Sequence, residues 1–297
     1  MTSKQKIIAI VGPTASGKTA IGVVLAREFG GEVISADSRQ VYRDMDVIAG
    51  VPTMREMRGV PHHLLRVASP KALYSAGRFT REGARTIAQI VKHGHLPIVV
   101  GGTGFYAETL LGKMVLPEVP PNKKLRAELV KKSAAELFLM LKKLDPRRAG
   151  DIDAQNPARL IRAIEIAEAL GAVPELSDAP QPPFDVLWLG VSPATECLEE
   201  KIRARILARL KRGMAAEAAR LRAQLFKKRF NELGAEFSLL AEHLDKKLTR
   251  PELIEKLIQW ELKYIKRQLR WHKRNKDIVW ISDATTARKE AKSFLER

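Results

Sequence analysis

Ile7-Ile8-Ala9-Ile10-Val11-Gly12-Pro13-Thr14-Ala15-Ser16-Gly17-Lys18-Thr19 is the stretch that decides the fold. Five consecutive apolar residues stopped by Gly-Pro predict a strand buried on both faces, as in a parallel sheet. Residues 12–19 then fit G-x-x-x-x-G-K-[ST] in full, and helical apolar spacing continues over 19–29 until Gly30-Gly31 ends it. A strand before and a helix after give that pattern structural meaning. The glycines let backbone N–H groups close around phosphate oxygens at a helix N-terminus, Lys18 adds a point charge, and the Thr19 hydroxyl can hold Mg²⁺. Such a loop takes a diphosphate or a triphosphate, without saying what is done to it.

Working outward, residues 32–36 predict a second strand that delivers Asp37 to the carboxyl edge of the sheet beside the loop. Asp37 is therefore a candidate metal ligand or base, or else a turn residue. An amphipathic helix is expected over 78–92 and a further buried strand over 96–100, cut off by Gly101-Gly102-Thr103-Gly104. Nucleotide hydrolases end such a strand in an acid that binds metal and orients water; here it ends in Gly-Gly-Thr. The alternation of elements gives an α/β fold, a P-loop doubly wound parallel sheet. Prolines 117, 120 and 121 then open a helical insertion over 113–183, with helical pattern at 122–144 and 157–170 and a Pro-rich end at 174–183. A strand over 186–191 returns to the sheet. Basic C-terminal helices follow from residue 196, with a last strand at 278–281. The expected domains are a P-loop core of 1–112 and 184–297, and the insertion of 113–183.

Lys and Arg number 52 against 34 Asp and Glu, a net charge of +18 in 297 residues. The excess is concentrated. Residues 201–230 hold 11 basic residues against the single acid Glu217, and residues 263–276 hold 7 with no acid. In 201–213, Lys201, Arg205, Arg209 and Arg212 form one stripe at helical spacing; Lys263, Lys266, Arg267, Arg270 and Arg274 form another. A polyanion is the expected partner. No stretch approaches the roughly 18 to 20 apolar residues of a bilayer span, and no export signal precedes the first strand. One cysteine, Cys197, fits a reducing cytosol, so a cytoplasmic monomer is expected. His62-His63 lack the further clustered ligands of a metal site, and Trp260, Trp271 and Trp280 read as core or half-buried anchors.

Asp-Ser-Arg-Gln-Val-Tyr at 37–42, Pro-His-His-Leu at 61–64, Tyr-Ser-Ala at 74–76 and Val-Gly-Gly-Thr-Gly at 100–104 complete a pattern. With the loop at 12–19, in this order and spacing, they resemble the tRNA dimethylallyltransferases. Arg159-Leu160-Ile161-Arg162-Ala163-Ile164-Glu165 is similar to that family's insertion signature, and Lys266-Arg267-Gln268 with Trp271 to its C-terminal one. The resemblance spans residues 7 to about 281. It implies transfer of a dimethylallyl group from dimethylallyl diphosphate to N6 of adenosine-37, in the anticodon stem-loop of tRNA, with Mg²⁺ as cofactor. It makes Asp37 the general base, places Thr103 near the reacting centre and gives the diphosphate to Arg205 and to Gly12, Thr14, Ala15, Ser16, Gly17, Lys18 and Thr19. Asp37, Ser38, Arg39, Gln40, Thr103, Arg126, Ala158, Arg159, Leu160, Ile161 and Arg162 fall where the family contacts tRNA.

Three segments depart from the family pattern. Val-Ile-Ala-Gly-Val-Pro at 47–52 stands where Ile-Gly-Thr-Ala-Lys-Pro is usual, Arg66 where Asp is usual, and Glu-Leu-Gly-Ala-Glu-Phe at 232–237 where Ala-Ile-Gly-Tyr-Lys-Glu is usual. Two rival activities share the cradle: prenyl transfer to free adenine nucleotides, and a P-loop kinase or RNA-binding ATPase using Asp37 on a hydroxyl. The basic stripes and the insertion disfavour the first.

Overall fold

β1 (Gln5–Val11) sets the layering of the molecule through its alternation. Ile7, Ala9 and Val11 belong to one apolar cluster, Ile8 and Ile10 to a second on the opposite face. From Ile7 to Val11 no residue is more than 1% exposed, as expected of a strand covered on both sides. The computed structural model describes residues 4–175, 183–192 and 198–297; Cys197 and most of the Pro-rich stretch at 174–183 lie outside them.

From β1 the chain passes through the glycine loop into α1 (Lys18–Glu28), β2 (Gly31–Ser35), the single-turn α2 (Met54–Met57) and the two-residue β3 (His62–His63). α3 (Ala76–Lys92), β4 (Leu96–Gly101) and α4 (Gly104–Leu110) follow. After α5 (Lys123–Leu129), α6 (Ala134–Leu144), α7 (Pro146–Asp151) and α8 (Pro157–Leu170), β5 (Phe184–Val191) returns to the sheet. The remainder is α9 (Leu198–Lys211), α10 (Met214–Gln224), α11 (Lys227–Glu232), α12 (Ala235–Leu244), α13 (Arg250–His272), β6 (Ile278–Ile281) and α14 (Ala284–Glu296).

Among the described residues six strands form one sheet in the order β3-β2-β4-β1-β5-β6, every pair parallel. α1 and α14 cover one face through Val23, Leu25, Ala291 and Phe294. The other face meets α3, α4 and the C-terminal helices through Phe79, Tyr106, Ile202, Ile206, Leu257 and Ile265. β1 lies between β4 and β5, so the loop that follows it opens at the carboxyl edge where ligands bind in such sheets.

The chain divides into two compact units, Met1–Lys113 with Ala179–Arg297, and Met114–Asp178. The second has its own core of Leu129, Leu137, Leu141, Leu160 and Ile164. Its first helical pattern is broken in two. Ser133 and Glu136 form a capping box that starts α6 afresh, because a serine side chain accepting from the third amide satisfies a helix start better than it fits a helix interior.

Candidate active site

The glycine loop turns sharply before α1, with Ala15 at φ 64 and Gly17 at φ 84. Gly17 serves as the helix cap without a side chain, which left-handed backbone allows glycine at no steric cost. The Lys18 ammonium donates to the carbonyl of Pro13 at 3.0 Å. Burial pushes its pKa down to about 8, against the pull of the Asp37 carboxylate and with the repulsion of Arg205. These three charges share one cleft of about 290 Å³. Thr14, Ala15, Gly17 and Thr19 line it too, and the Ser16 hydroxyl is buried with no hydrogen-bond partner among the described residues.

Asp37 sits just past β2 and divides its two oxygens. Oδ1 accepts from the amides of Arg39 at 2.9 Å and Gln40 at 3.4 Å, so the turn role is realised. Among the described residues no hydrogen bond engages Oδ2. Thr103 precedes α4 but does not cap it with its side chain. Instead its hydroxyl accepts from the Ser38 amide at 3.0 Å, and its own amide donates to Ala36 O at 3.1 Å. The loop after β4 thereby holds the Asp37 turn from both sides. Gln40 accepts from the Ser35 hydroxyl and donates to Gly50 O, bracing the cleft wall.

The stripe on α9 is corrected by the structure. Lys201 and Arg212 are exposed, but Arg205 pairs with Glu261, and Arg209, 7% exposed, pairs with Glu261 at 3.1 Å and Glu236 at 3.7 Å. Arg209 also donates to Val47 O at 2.8 Å. Glu236 pairs with Arg39 as well. Burial holds the Glu261 carboxyl above its usual range and the Arg209 guanidinium below its own. These arginines therefore belong to the cleft wall. The C-terminal stripe faces outward: Lys263, Lys266, Arg267 and Arg270 on α13, and Arg274 just past its end, are all exposed.

Trp260 and Tyr264 stack at 5.1 Å and 12° on the cleft wall, with the Arg39 guanidinium 5.1 Å and 5.8 Å from their ring centres. Burial raises the Tyr264 hydroxyl to about 12. Trp260 is thus a cleft residue. Trp271 is an anchor, its Nε1 donating to Glu108 at 3.0 Å, and Trp280 is 39% exposed.

In the second unit only part of 158–162 faces outward. Ala158 and Arg159 are exposed at the start of α8, while Leu160 at 0% and Ile161 at 9% are packed in the core, since a run of five residues goes more than once round a helix and cannot all share one face. Arg126 makes a bidentate pair with Glu165 at 2.6 and 2.7 Å, and Arg162 donates to Val119 O at 2.8 Å. Both guanidiniums are internally engaged.

The departures from the family pattern have partners here. Arg66 pairs with Asp46 at 2.6 Å, Glu217 accepts from the amides of Val47 and Ile48, and Glu236 joins the arginine network. His62-His63 hold no metal cluster; among the described residues there is none. His63 and His95 each bond Glu32 at 2.5 Å. Burial works against the Glu32 charge, but those bonds hold its carboxyl below the usual range.

The sequence reading gave no site role to Glu236, Glu261, Tyr264 or Gln268, although Gln268 stands in the C-terminal signature and Glu236 in the departing segment 232–237. A signal existed: on α13 the polar Glu261, Gln268 and His272 fall at helical spacing on the apolar line of Leu257, Ile258 and Ile265.

The statistical profile of a family described as IPP transferase matches residues 40–275. A tRNA dimethylallyltransferase of Thermomicrobium roseum is 38% identical over 94% of this chain and 87% of its own. One of Geotalea uraniireducens is 37% identical over 97% and 96%. Among solved structures, the full-length tRNA isopentenylpyrophosphate transferase of Bacillus halodurans superposes with a TM-score of 0.72 at 30% identity, covering 99% of both chains. A eukaryotic dimethylallyltransferase acting on tRNA gives 0.78 at 26%, over 97% of this chain and 77% of its own.

Proposed function

The chain belongs to the IPP transferase family, and from that premise we propose that it transfers a dimethylallyl group from dimethylallyl diphosphate to N6 of adenosine-37 in the anticodon stem-loop of tRNA. The observation that carries the reading is the cleft itself: a phosphate cradle with Lys18 and Arg205, and a carboxylate with one uncommitted oxygen, open to the same space.

The N6 lone pair is delocalised into the purine, so removing its proton assists attack. Asp37 Oδ2 takes that proton while Oδ1 stays in the turn and fixes the carboxylate. The new bond joins N6 to C1 of the allyl unit, the C1–O bond breaks, and its electron pair leaves on diphosphate. The negative charge growing there is met by Lys18, Arg205 and the cradle amides. Thr19 and Asp37 line this one cleft, and a hydroxyl with a carboxylate is an oxygen donor set that would hold Mg²⁺, which keeps few protein ligands and favours phosphate oxygens. When bound it would supply further charge neutralisation on the leaving group. Thr103 positions the Asp37 turn. The exposed cations of α13, with Ala158 and Arg159 of the second unit, serve the RNA backbone.

No helix among the described residues is long and apolar enough to cross a membrane. We place the protein in the cytoplasm with its tRNA, acting as a monomer. Incubation with radiolabelled dimethylallyl diphosphate and total tRNA, AMP or neither is the test. Label in tRNA supports the reading; label in AMP alone, or brisk ATP cleavage with no transfer, overturns it.

A further inference from the structure

We propose that Gln268 is a positioning residue: its side-chain amide fixes the phosphate cradle against the loop that carries Asp37. The proposal rests on the prenyl-transfer reading above.

β1 and β4 are neighbours, and their ladder ends at the pair Val11 and Gly101. Just beyond it the two loops diverge, one into the cradle and one into the Thr103 turn. Gln268, reaching in from α13 and only 7% exposed, bridges them. Its Oε1 accepts from the Thr14 amide at 3.0 Å and lies 3.4 Å from the Thr14 hydroxyl. Its Nε2 donates to Gly102 O at 2.9 Å. A Cβ on residue 102 would lie 2.6 Å from that nitrogen, so glycine there is what admits the amide. From Gly102 the path is short: Thr103 holds the Ser38 amide and Ala36 O, the residues on either side of Asp37. One side chain thus links the donor's cradle to the base's turn. It also revises Thr14, whose amide is held by Gln268 in this structure.

An amide suits the task because it offers one acceptor and one donor without charge. Leucine of similar size would leave a buried N–H and a buried carbonyl without partners. An ionised glutamate would set an oxygen lone pair against Gly102 O, whereas a protonated one would reproduce both contacts, and burial favours the protonated form. Ile265 and His272, each 1% exposed on the same face of α13, show that the helix turns this face inward on both sides of the residue.

The test compares full-length wild type, Gln268→Leu and Gln268→Glu in prenyl transfer to an anticodon stem-loop, with calorimetric binding of inorganic diphosphate and of the RNA. A lost alignment lowers kcat by about 10- to 100-fold in Gln268→Leu, while both dissociation constants stay within about threefold of wild type. In Gln268→Glu, kcat relative to wild type at the same pH rises at least about fivefold between pH 8 and 6 as the carboxylate protonates. Normal turnover in Gln268→Leu overturns the proposal, as does a parallel loss of diphosphate affinity, which would make Gln268 a binding residue. If Gln268→Leu does not fold, a pH-independent ratio for Gln268→Glu overturns it alone. A wild type that binds both ligands and transfers nothing sinks the functional reading as well; an active wild type with unaffected variants sinks only this inference.

Discussion

α9 and α13 carry the same pattern, cations repeated at helical spacing, and the fold uses them in opposite ways. On α9 the guanidiniums of Arg205 and Arg209 turn inward onto Glu261 and Glu236. On α13 the cations stay outside, and none of Lys263, Lys266 and Arg270 makes an ion pair among the described residues. What separates the two is where the acids fall. Glu261 lies on the buried line of α13 itself, so one helix supplies the counter-charge for the other while its own Lys263, Lys266 and Arg270 stay without an ion-pair partner among the described residues. Inward charges act on chemistry and stability in low dielectric; outward ones act on RNA affinity and are screened by salt.

That contrast can be broken at several points. Asp37→Asn, on the inward side, is expected to lower kcat by about 10² to 10⁴ in single-turnover assays, with stem-loop affinity and its salt dependence unchanged. Near-normal turnover would remove Asp37 from the base role. Glu261→Ala leaves Arg205 and Arg209 short of a partner and should cost about 3–5 kcal/mol in urea unfolding; a loss under about 1 kcal/mol would show that water, not Glu261, compensates those charges. Lys18 gives the next effect. With its pKa depressed to about 8 it is charged below that pH and loses its charge as pH rises through it. Diphosphate binding therefore takes up a proton above pH about 8 and weakens by at most about tenfold per unit, which calorimetry in two buffers would read; constant affinity from pH 7 to 10 would exclude Lys18 as a charge donor. Smallest is Lys266→Gln. If that ammonium neutralises one phosphate, the log–log salt slope falls by about 0.7, and affinity drops about threefold less between 50 and 200 mM salt, with kcat at saturating RNA unaltered.

The parts of the fold legible in sequence are those written in local pattern. The run of 7–11 closed by Gly-Pro, the loop of 12–19 and the strand of 278–281 each contain their own start and stop, and each appears where expected. Residues 158–162 show the limit of a motif: as a string they are one signature, but helical phase sends Leu160 and Ile161 inward. The α9 stripe failed for a different reason. Its spacing was right, yet whether a basic face meets water or carboxylates depends on Glu236 and Glu261, which lie 24 or more positions from it and acquire meaning only when α12 and α13 pack. Gln268 shows the same dependence, since its two partners are 254 and 166 residues away.

The cleft wall at 46–51 is held largely through its main chain: Glu217 takes the amides of Val47 and Ile48, Arg209 and Gln40 donate to the carbonyls of Val47 and Gly50, and the Val51 amide closes onto Asp46 O. Ile48 and Val51 are sunk in the interior, Ala49 packs against the main core, and Gly50 sits at φ 61, a left-handed backbone that a larger residue adopts only under strain. All four also line the cleft, so a changed side chain anywhere in 48–51 perturbs the frame along with the pocket surface, and a library seeking acceptance of bulkier or hydroxylated allylic tails does better to start elsewhere on the wall.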